Sequence, residues 1–285
     1  MGKIGVIGGS GLYDMEALKD KKFVDVETPF GSPSDKFVTG RINSKEVVFL
    51  PRHGKGHSIL PSELNFKANI FGMKLLGVER ILSVSAVGSL KKEIHPGDIV
   101  LPDQFFDHTK LRPSTFFGKG IVCHSSLADP ICMESADIVF NATQKVGAKV
   151  HKGGVYICIE GPHFSTRAES NLYRSWGMDI IGMTNVNEAK LAREAEICYV
   201  TIALSTDYDC WYEEEENVSV DSVIEIIKKN VTMAKEIVAK SIEMIPEKRR
   251  CPCINALENA IITDPKVIPD KIKKDLYPLI GKYIR

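Results

Sequence analysis

A repeated alternation of short apolar runs with helical patterns restricts the fold of this 285-residue chain more than any other feature. Apolar runs of strand length recur, and segments with apolar residues three and four positions apart separate most of them. The predicted strands are 3–7, 23–28, 36–40, 47–50, 80–86, 99–102, 154–160, 179–183 and 197–205, and the predicted helices are 62–76, 134–146, 166–177, 187–194 and 219–245. The pattern predicts a single α/β domain with a mixed, largely parallel central sheet flanked by helices. We expect residues 1–245 to form it and residues 246–285 to be a C-terminal tail packed on the same domain.

Local signals mark where several predicted helices begin and end. Gly77 and Gly147 occupy positions at which helices end in a left-handed residue. Thr166 and Glu169 have the spacing of a capping box, which starts a helix. After residue 102 and up to residue 120 few periodic signals occur, so we expect a long irregular segment there, of the kind that is usually functional or disordered.

Composition argues against several classes of partner. Thirty-seven basic residues balance thirty-seven acidic ones, so no net charge points to a nucleic acid or an anionic membrane surface. No apolar run reaches the roughly 20 residues of a membrane span, and the first residues lack a cleavable signal pattern. Seven cysteines, an odd number, fit reduced thiols. We therefore expect a cytoplasmic protein.

Cys251 and Cys253 differ from the other cysteines because they stand one residue apart, beside a charged stretch. A lone pair of this kind lacks the second pair of ligands that a zinc site needs. A redox-active or stabilising pair stays open, and two incidental thiols are the favoured interpretation.

Polar residues follow several predicted strands, and ligands of parallel α/β sheets bind at the carboxyl ends of the strands. The loop Gly8-Gly9-Ser10-Gly11 offers amides and a hydroxyl to an oxyanion. It matches neither the dinucleotide-binding nor the Walker A pattern. Arg52 and His53 add cationic donors suited to phosphate. Ser85-Ala86-Val87-Gly88-Ser89 and Met183-Thr184 add hydroxyls and amides, so the recurrence predicts a site for a small phosphate and a neutral, aromatic ligand.

A metal site is not expected in this region. His53 and His57 have the spacing of two zinc ligands on a helix, but Gly54 and Gly56 disfavour a helix and the required glutamate is missing. No metal is therefore assigned to the site.

The stretch from Thr201 to Trp211 ends an apolar strand in acids. Because alternate residues of an extended chain point to the same side, Asp207 and Asp209 are predicted to face one cleft, with Tyr208 pointing away. The alternative for this stretch alone is a turn with solvated acids.

Several motifs together resemble the 5'-methylthioadenosine phosphorylases, in the trimeric branch of the purine nucleoside phosphorylase superfamily. They are Gly-Gly-Ser-Gly at 8–11, Pro-Arg-His-Gly at 51–54, Ser-Ala-Val-Gly-Ser at 85–89, Pro-Gly-Asp-Ile-Val at 96–100, Ile-Glu-Gly-Pro-His-Phe-Ser at 159–165, Gly-Met-Thr at 182–184 and Ser-Thr-Asp-Tyr-Asp-Cys-Trp at 205–211. They occur in order between about residues 3 and 245, and the tail carries less of the likeness.

The resemblance implies a nucleoside phosphorylase-like fold and an enzyme, a pentosyltransferase. Inorganic phosphate attacks C1' of 5'-methylthioadenosine and releases adenine and 5-methylthioribose 1-phosphate, in purine and methionine salvage. Phosphate is a substrate, no metal or organic cofactor is implied, and the partners are the nucleoside and further copies of the chain, as a trimer or hexamer.

The resemblance also assigns residues to each part of the site. The phosphate positions are Ser10, Arg52, His53, Ser85, Ala86 and Thr184, and the ribose and base positions are Phe164, Ser165, Met183, Asp207 and Asp209. The methylthio pocket is formed by His57, Val220, Val223, Ile224 and, from a neighbouring subunit, His124. Asp207, Asp209, Arg52 and His53 are the catalytic candidates, with Asp207 accepting from the 6-amino group and delivering a proton to N7 if its pKa is raised. Ser165 could instead lead into the helix cap, and the three apolar residues could be core.

Two residues depart from the family pattern. Gly182 stands where relatives often carry asparagine, and Asn187 where a proline is common before Glu188. We expect these changes to alter substrate breadth rather than abolish activity. A phosphorylase of 6-oxopurine nucleosides such as inosine, guanosine or methylthioinosine is one alternative, disfavoured by Asp207. A non-catalytic nucleoside-binding protein is the other, disfavoured by the phosphate cluster.

Overall fold

A computed structural model of the protein describes residues 2–9, 12, 14–212 and 220–284, and for residues 220–228 it describes the backbone alone. The strands are β1 Lys3–Gly8, β2 Lys19–Val24, β3 Phe37–Ile42, β4 Lys45–Pro51, β5 Val78–Ser89, β6 Ile99–Leu101, β7 Gln104–His108, β8 Val150–Lys152, β9 Val155–Ile159, β10 Ile180–Gly182 and β11 Cys198–Asp207. The α-helices are α1 Phe66–Leu75, α2 Met133–Val146, α3 Arg167–Ser175, α4 Asn185–Glu194, α5 Val220–Met244, α6 Asp270–Asp275 and α7 Tyr277–Ile280.

The strands form one mixed sheet in the order β2-β3-β4-β1-β5-β10-β9-β7, with β11 pairing with β5 and β6, and β6 with β8. The pairs β1 with β4, β1 with β5 and β5 with β11 are parallel. The predicted single α/β domain with a mixed, largely parallel sheet is therefore confirmed. Its core contains residues from the buried strands and from the helices that cover them, such as Ile7, Leu82, Ile202 and Val238.

Strand β5 determines where polar side chains meet. Its first half pairs with β1, while β11 runs parallel to it from Arg80 to Gly88. Its last two residues, Gly88 and Ser89, pair antiparallel with β10. The chain that leaves β10 therefore runs back along the last residues of β5, and the last residues of β11 lie beside the same part of β5.

Several predicted boundaries are confirmed by the backbone. Gly147 ends α2 with a left-handed φ of 81°. Thr166 caps α3, accepting from the amide of Glu169, whose side chain completes the capping box. Gly77 follows the end of α1 with a φ of 79°.

Other predicted boundaries are wrong for local reasons. The strand predicted at 23–28 lies earlier, as β2, because Thr28 forms a turn in which its hydroxyl donates to the carbonyl of Gly31 at 2.6 Å. Helix α1 begins after Asn65, whose side chain accepts from the amide of Ala68, and not at residue 62. The segment expected to be irregular after residue 102 contains β7, and β8 was also missed, because strands of five and three residues leave too short a pattern.

The residues after 246 pack against the preceding chain. Leu257, Leu276 and Ile280 are buried in the main core. Lys282 forms an ion pair with buried Glu196 at 2.6 Å, and the amide of Leu257 donates to the same carboxylate at 3.2 Å. In the part of the chain described, no helix has both the length and the apolar character that crossing a membrane requires.

Candidate active site

The two acids lie at the end of β11 beside Gly88 of β5. The register shifts between Ser205 and Asp207, so Asp207 pairs with Gly88 one residue later than a regular ladder would allow. Such a bulge turns a side chain to a new direction. A Cβ built on Gly88 would lie 3.1 Å from Asp207 Oδ1 and 3.3 Å from Asp209 Cβ. Both acids therefore border the same strand end, as predicted.

Tyr208, between the acids, points into the protein. It is buried, and its hydroxyl lies 2.5 Å from His95 Nδ1. Asp207 stays exposed at the edge, accepting the amide of Asp209 at 2.8 Å and the hydroxyl of Thr206 at 2.7 Å. Tyr208 therefore points away from the exposed Asp207, which is consistent with the prediction from the sequence.

Asp209 is the more enclosed acid. Its Oδ2 accepts a 2.5 Å hydrogen bond from the hydroxyl of Ser170, a buried residue of α3. Burial raises the pKa of Asp209 above its ordinary value, although the Ser170 hydrogen bond opposes the shift. Sequence reasoning missed Ser170, and only its place in the first turns of the helix after the capping box could have indicated it.

The loop before α3 borders the same acids. The thiol of Cys210 donates to the carbonyl of Ser165 at 3.3 Å, while the Ser165 hydroxyl is buried and has no hydrogen-bond partner in the described chain. Phe164 is 85% exposed. A Cβ on Gly161 would lie 2.6 Å from the sulfur of Met183, so Met183 packs directly on this loop. The predicted ribose and base residues are thus close to one another.

Arg52 is buried and held from several sides. Its Nε donates to Glu188 Oε1 at 2.5 Å and its Nη2 to Glu188 Oε2 at 3.2 Å. Nη2 also donates to the Ser83 hydroxyl at 2.7 Å, and Nη1 to the carbonyl of Val84 at 2.9 Å. Four of the five guanidinium N–H groups are thereby accounted for within the described chain, and the fifth, on Nη1, is left for a ligand.

The same ion pair is the centre of a buried polar network that sequence reasoning missed. Tyr199 donates its hydroxyl to Glu188 at 2.8 Å, and so does Ser83 at 2.7 Å. The Asn185 amide donates to Ser83 at 3.2 Å and to Thr201 at 3.1 Å. A buried arginine needs a carboxylate, but nothing in the sequence selects Glu188 from the other acids.

His53 follows Arg52 and is half-buried. Its Nδ1 lies 2.8 Å from the carbonyl of Ile59, which can only accept, so Nδ1 carries the hydrogen and Nε2 presents a lone pair. Burial, together with the charge of Arg52, lowers the pKa of His53 to about 4. His53 is therefore neutral at pH 7, and the expectation that it contributes positive charge against the phosphate is wrong.

Ser85, Ala86 and Thr184 lie near this network. The Ser85 hydroxyl is buried without a hydrogen-bond partner in the described residues, and Ala86 is exposed. Thr184 is buried immediately before α4, where helical amides face outward, and its hydroxyl donates to Asn185 at 2.9 Å. The unpaired Ser85 hydroxyl, one residue after the carbonyl that Arg52 contacts, is suited to an oxyanion.

The methylthio candidates are less closely connected. His57 is exposed and its ring stacks on His53 with centroids 4.3 Å apart, so it lies beside a phosphate candidate. His124 is exposed, and its amide donates to the carbonyl of Ala260 at 2.8 Å. Ser10 lies outside the described residues, and the side chains of Val220, Val223 and Ile224 do as well.

Arg112 is a further residue that the sequence did not reveal. Its Nε donates to Glu160 Oε1 at 3.0 Å, and its Nη1 donates to the carbonyl of Met183. It therefore ties the chain after β9 to the chain after β10.

Comparison with known proteins identifies the family of the chain. Residues 3–243 match the family described as the phosphorylase superfamily. The chain belongs to this superfamily.

Within the superfamily, the chain is similar over its full length to S-methyl-5'-thioadenosine phosphorylases. It is 60% identical to the one from Geobacter sulfurreducens over 282 residues, which cover 99% of both chains. It is 56% identical to that of Koribacter versatilis, over 99% of this chain and 96% of the relative.

Solved structures give the same result. A methylthioadenosine phosphorylase from an antarctic soil metagenomic library superposes with a TM-score of 0.95 at 48% identity, over 98% of each chain. A variant of adenosine/methylthioadenosine phosphorylase from Schistosoma mansoni, solved in complex with methylthioadenosine, superposes with a TM-score of 0.83 at 38% identity, over 90% of this chain and 96% of that one.

Proposed function

We propose that the protein catalyses phosphorolysis of 5'-methylthioadenosine, giving adenine and 5-methylthioribose 1-phosphate. The observation that carries the proposal is the division of one strand end into two chemically different halves. Ser85 lies beside the Arg52 network, while Gly88 lies between Asp207 and Asp209. Three residues of extended chain span about 10 Å, which suits a nucleoside lying between a phosphate and a base-reading acid.

The acids suit an adenine leaving group. Adenine leaves poorly as an anion, so a proton near N7 must accompany cleavage of the glycosidic bond. Asp209, with its raised pKa, is the better proton donor, whereas exposed Asp207 is placed to accept from the 6-amino group. This assignment moves proton donation from Asp207, where the sequence analysis expected it, to Asp209.

The phosphate half suits an anionic nucleophile. Arg52 supplies the positive charge and a remaining N–H, and Ser85 supplies an unpaired hydroxyl. The Thr184 hydroxyl must turn away from Asn185 to donate to the phosphate. Neutral His53 presents Nε2 as an acceptor, so it can receive a hydrogen bond from a protonated phosphate oxygen. Ser10 and the amide of Ala86 complete this half of the proposed site.

The remaining assignments are parts of the same proposal. Exposed His124 completes the methylthio pocket of a neighbouring subunit, with His57, Val220, Val223 and Ile224. A pocket of this kind requires an oligomer, and a homotrimer or a multiple of it is the assembly that we propose. Catalysis needs no organic cofactor or metal in this site. The enzyme works in the cytoplasm, and its products enter purine and methionine salvage. Residues 246–285 form a tail on the catalytic domain 1–245.

One assay tests the proposal directly. Adenine release from 5'-methylthioadenosine is measured with and without phosphate, beside hypoxanthine release from inosine. We expect phosphate-dependent release from 5'-methylthioadenosine and a much smaller rate with inosine, since Asp207 and O6 are both acceptors. Release that does not depend on phosphate, or a preference for inosine, would show that the proposal is wrong.

A further inference from the structure

Four cysteines from three separate parts of the chain meet on one side of the domain. Cys132 immediately precedes α2, Cys198 is the first residue of β11, and Cys251 and Cys253 lie in and beside a short turn of the tail. Their four sulfur atoms all lie within 4.8 Å of one another. The expectation that Cys251 and Cys253 lack a second pair is therefore wrong, because the second pair comes from residues distant in sequence.

The geometry of these sulfurs matches a metal centre. Zinc held by four thiolates at about 2.3 Å in a tetrahedron keeps its sulfurs about 3.8 Å apart. Cys198 and Cys251 Sγ are 3.2 Å apart, and all four thiols are free. Three of the cysteines are buried and Cys251 is half-buried. A shielded group of four sulfurs is the arrangement of a closed structural site, with no position left for substrate.

Cationic side chains surround the cluster. Arg249 Nη1 lies 4.0 Å from Cys198 Sγ. Arg80 pairs with Cys198 across β5 and β11, so its side chain lies on the same face of the sheet. Arg80 is 1% exposed, and its Nε has no hydrogen-bond partner among the described residues. A divalent ion with four thiolates carries a net charge of about −2. Arg80 also pairs with Glu134 at 3.2 Å and Arg249 with Glu79 at 3.5 Å, so the two arginines offset only part of that charge.

We propose that Cys132, Cys198, Cys251 and Cys253 bind one structural zinc ion, which fastens the C-terminal tail to the catalytic domain. The tail in turn holds a segment of the candidate methylthio pocket, because Cys123 pairs with Ile261 and the amide of His124 bonds Ala260. The ion lies apart from the phosphate and base residues and takes no part in the chemistry. Its position makes folding of the tail depend on metal.

The first test uses the wild-type protein, purified with a reductant and without added metal. Elemental analysis should give about one zinc per chain. Thiol titration of the native protein should leave the four cluster cysteines unreactive until a mercurial reagent releases the zinc. Absence of zinc, bound iron in its place, or disulfides joining these four cysteines would each overturn the proposal.

The second test compares two matched variants of buried cysteines. Cys253→Ala should lose most of the zinc and lower the melting temperature, and protease should then cut within the tail. Cys158→Ala removes a buried thiol of β9 outside the cluster and should keep its zinc. Replacing zinc by cobalt in the wild-type protein should give the intense visible absorption of a tetrahedral cobalt thiolate. A Cys253→Ala protein with full zinc content would contradict the proposal.

Discussion

Arg52 and Glu188 form a two-point ion pair inside the protein, with Nε to Oε1 at 2.5 Å and Nη2 to Oε2 at 3.2 Å. Their side chains are 4% and 2% exposed. The pair connects the end of β4 to α4, so the position of the guanidinium depends on a residue 136 positions later in the chain. Glu188 is therefore a positioning residue for the proposed phosphate site.

Glu188→Gln is expected to weaken phosphate use and stability together. Removing one partner of a buried ion pair leaves the other charge uncompensated, at a cost of about 3 kcal/mol. Arg52 then reorients, so the KM for phosphate should rise by at least ~10-fold, on the scale of 1.4 kcal/mol or more. Phosphate saturation kinetics and thermal unfolding measure the two effects.

Glu243→Gln is the matched control for this variant. Glu243 pairs with Lys240 at 2.9 Å on the surface, where such pairs contribute less than about 1 kcal/mol. Its KM for phosphate should equal that of the wild type. An unchanged KM in Glu188→Gln as well would show that Arg52 does not bind phosphate.

Asp207→Asn is expected to change which base the enzyme prefers. The new amide can donate to O6 of a 6-oxopurine, while its oxygen still accepts the amide of Asp209, so the loop is retained. The kcat/KM for 5'-methylthioadenosine should fall by at least ~10-fold, the scale of one lost hydrogen bond to a charged group, and the ratio of the two kcat/KM values should move toward inosine. Phosphorolysis of both nucleosides at one pH measures this ratio.

Asp209→Asn separates base reading from proton donation. It removes the proposed donor, so activity on both nucleosides should fall without a change in their ratio. A ratio that stays fixed in Asp207→Asn would mean that Asp207 does not read the base and that its stretch is only a turn.

The sequence predicted those parts of the fold and site that depend on local patterns. The helical period of the apolar residues and the capping residues located α2 and α3. Both signals depend on residues close in sequence, since the left-handed Gly147 ends α2 and the Thr166 capping box begins α3. The acids at 207 and 209 do border one strand end, but the alternation of an extended chain is not the reason, because the ladder is irregular before Asp207 and a 3-10 turn begins at Asp209.

Features that depend on distant residues could not be predicted. Glu188 is one acid among many, and only the folded chain brings it to Arg52. The cysteine cluster combines residues 132, 198, 251 and 253, whereas the sequence displays only the last pair. His53 was expected to be charged, because neither its burial nor the carbonyl of Ile59 is visible in the sequence.

Gly182 can be explained by packing. A Cβ at this position would lie 2.0 Å from the hydroxyl oxygen of Tyr156 and 2.7 Å from its Cζ. Gly182→Ala should therefore destabilise the protein by about 1–3 kcal/mol through overpacking, and Gly182→Asn by more. In a double-mutant cycle, Gly182→Ala should cost less in a Tyr156→Leu background than in the wild type. Equal costs in the two backgrounds would exclude Tyr156 as the reason for glycine here.

Ser170→Ala is expected to shift the alkaline limb of the kcat profile to higher pH. The Ser170 hydroxyl stabilises the ionised form of Asp209 at 2.5 Å, so its loss raises the pKa of that carboxyl further. If protonated Asp209 is the donor, kcat falls as pH rises through this pKa. The alkaline limb of the kcat profile should therefore shift upward by on the order of one pH unit, the scale of a lost hydrogen bond to a charged group. Ser175→Ala removes an exposed hydroxyl of the same helix, bonded to the carbonyl of Leu172, and should leave the limb in place. An unmoved or lowered limb in Ser170→Ala would show that Asp209 is not the proton donor.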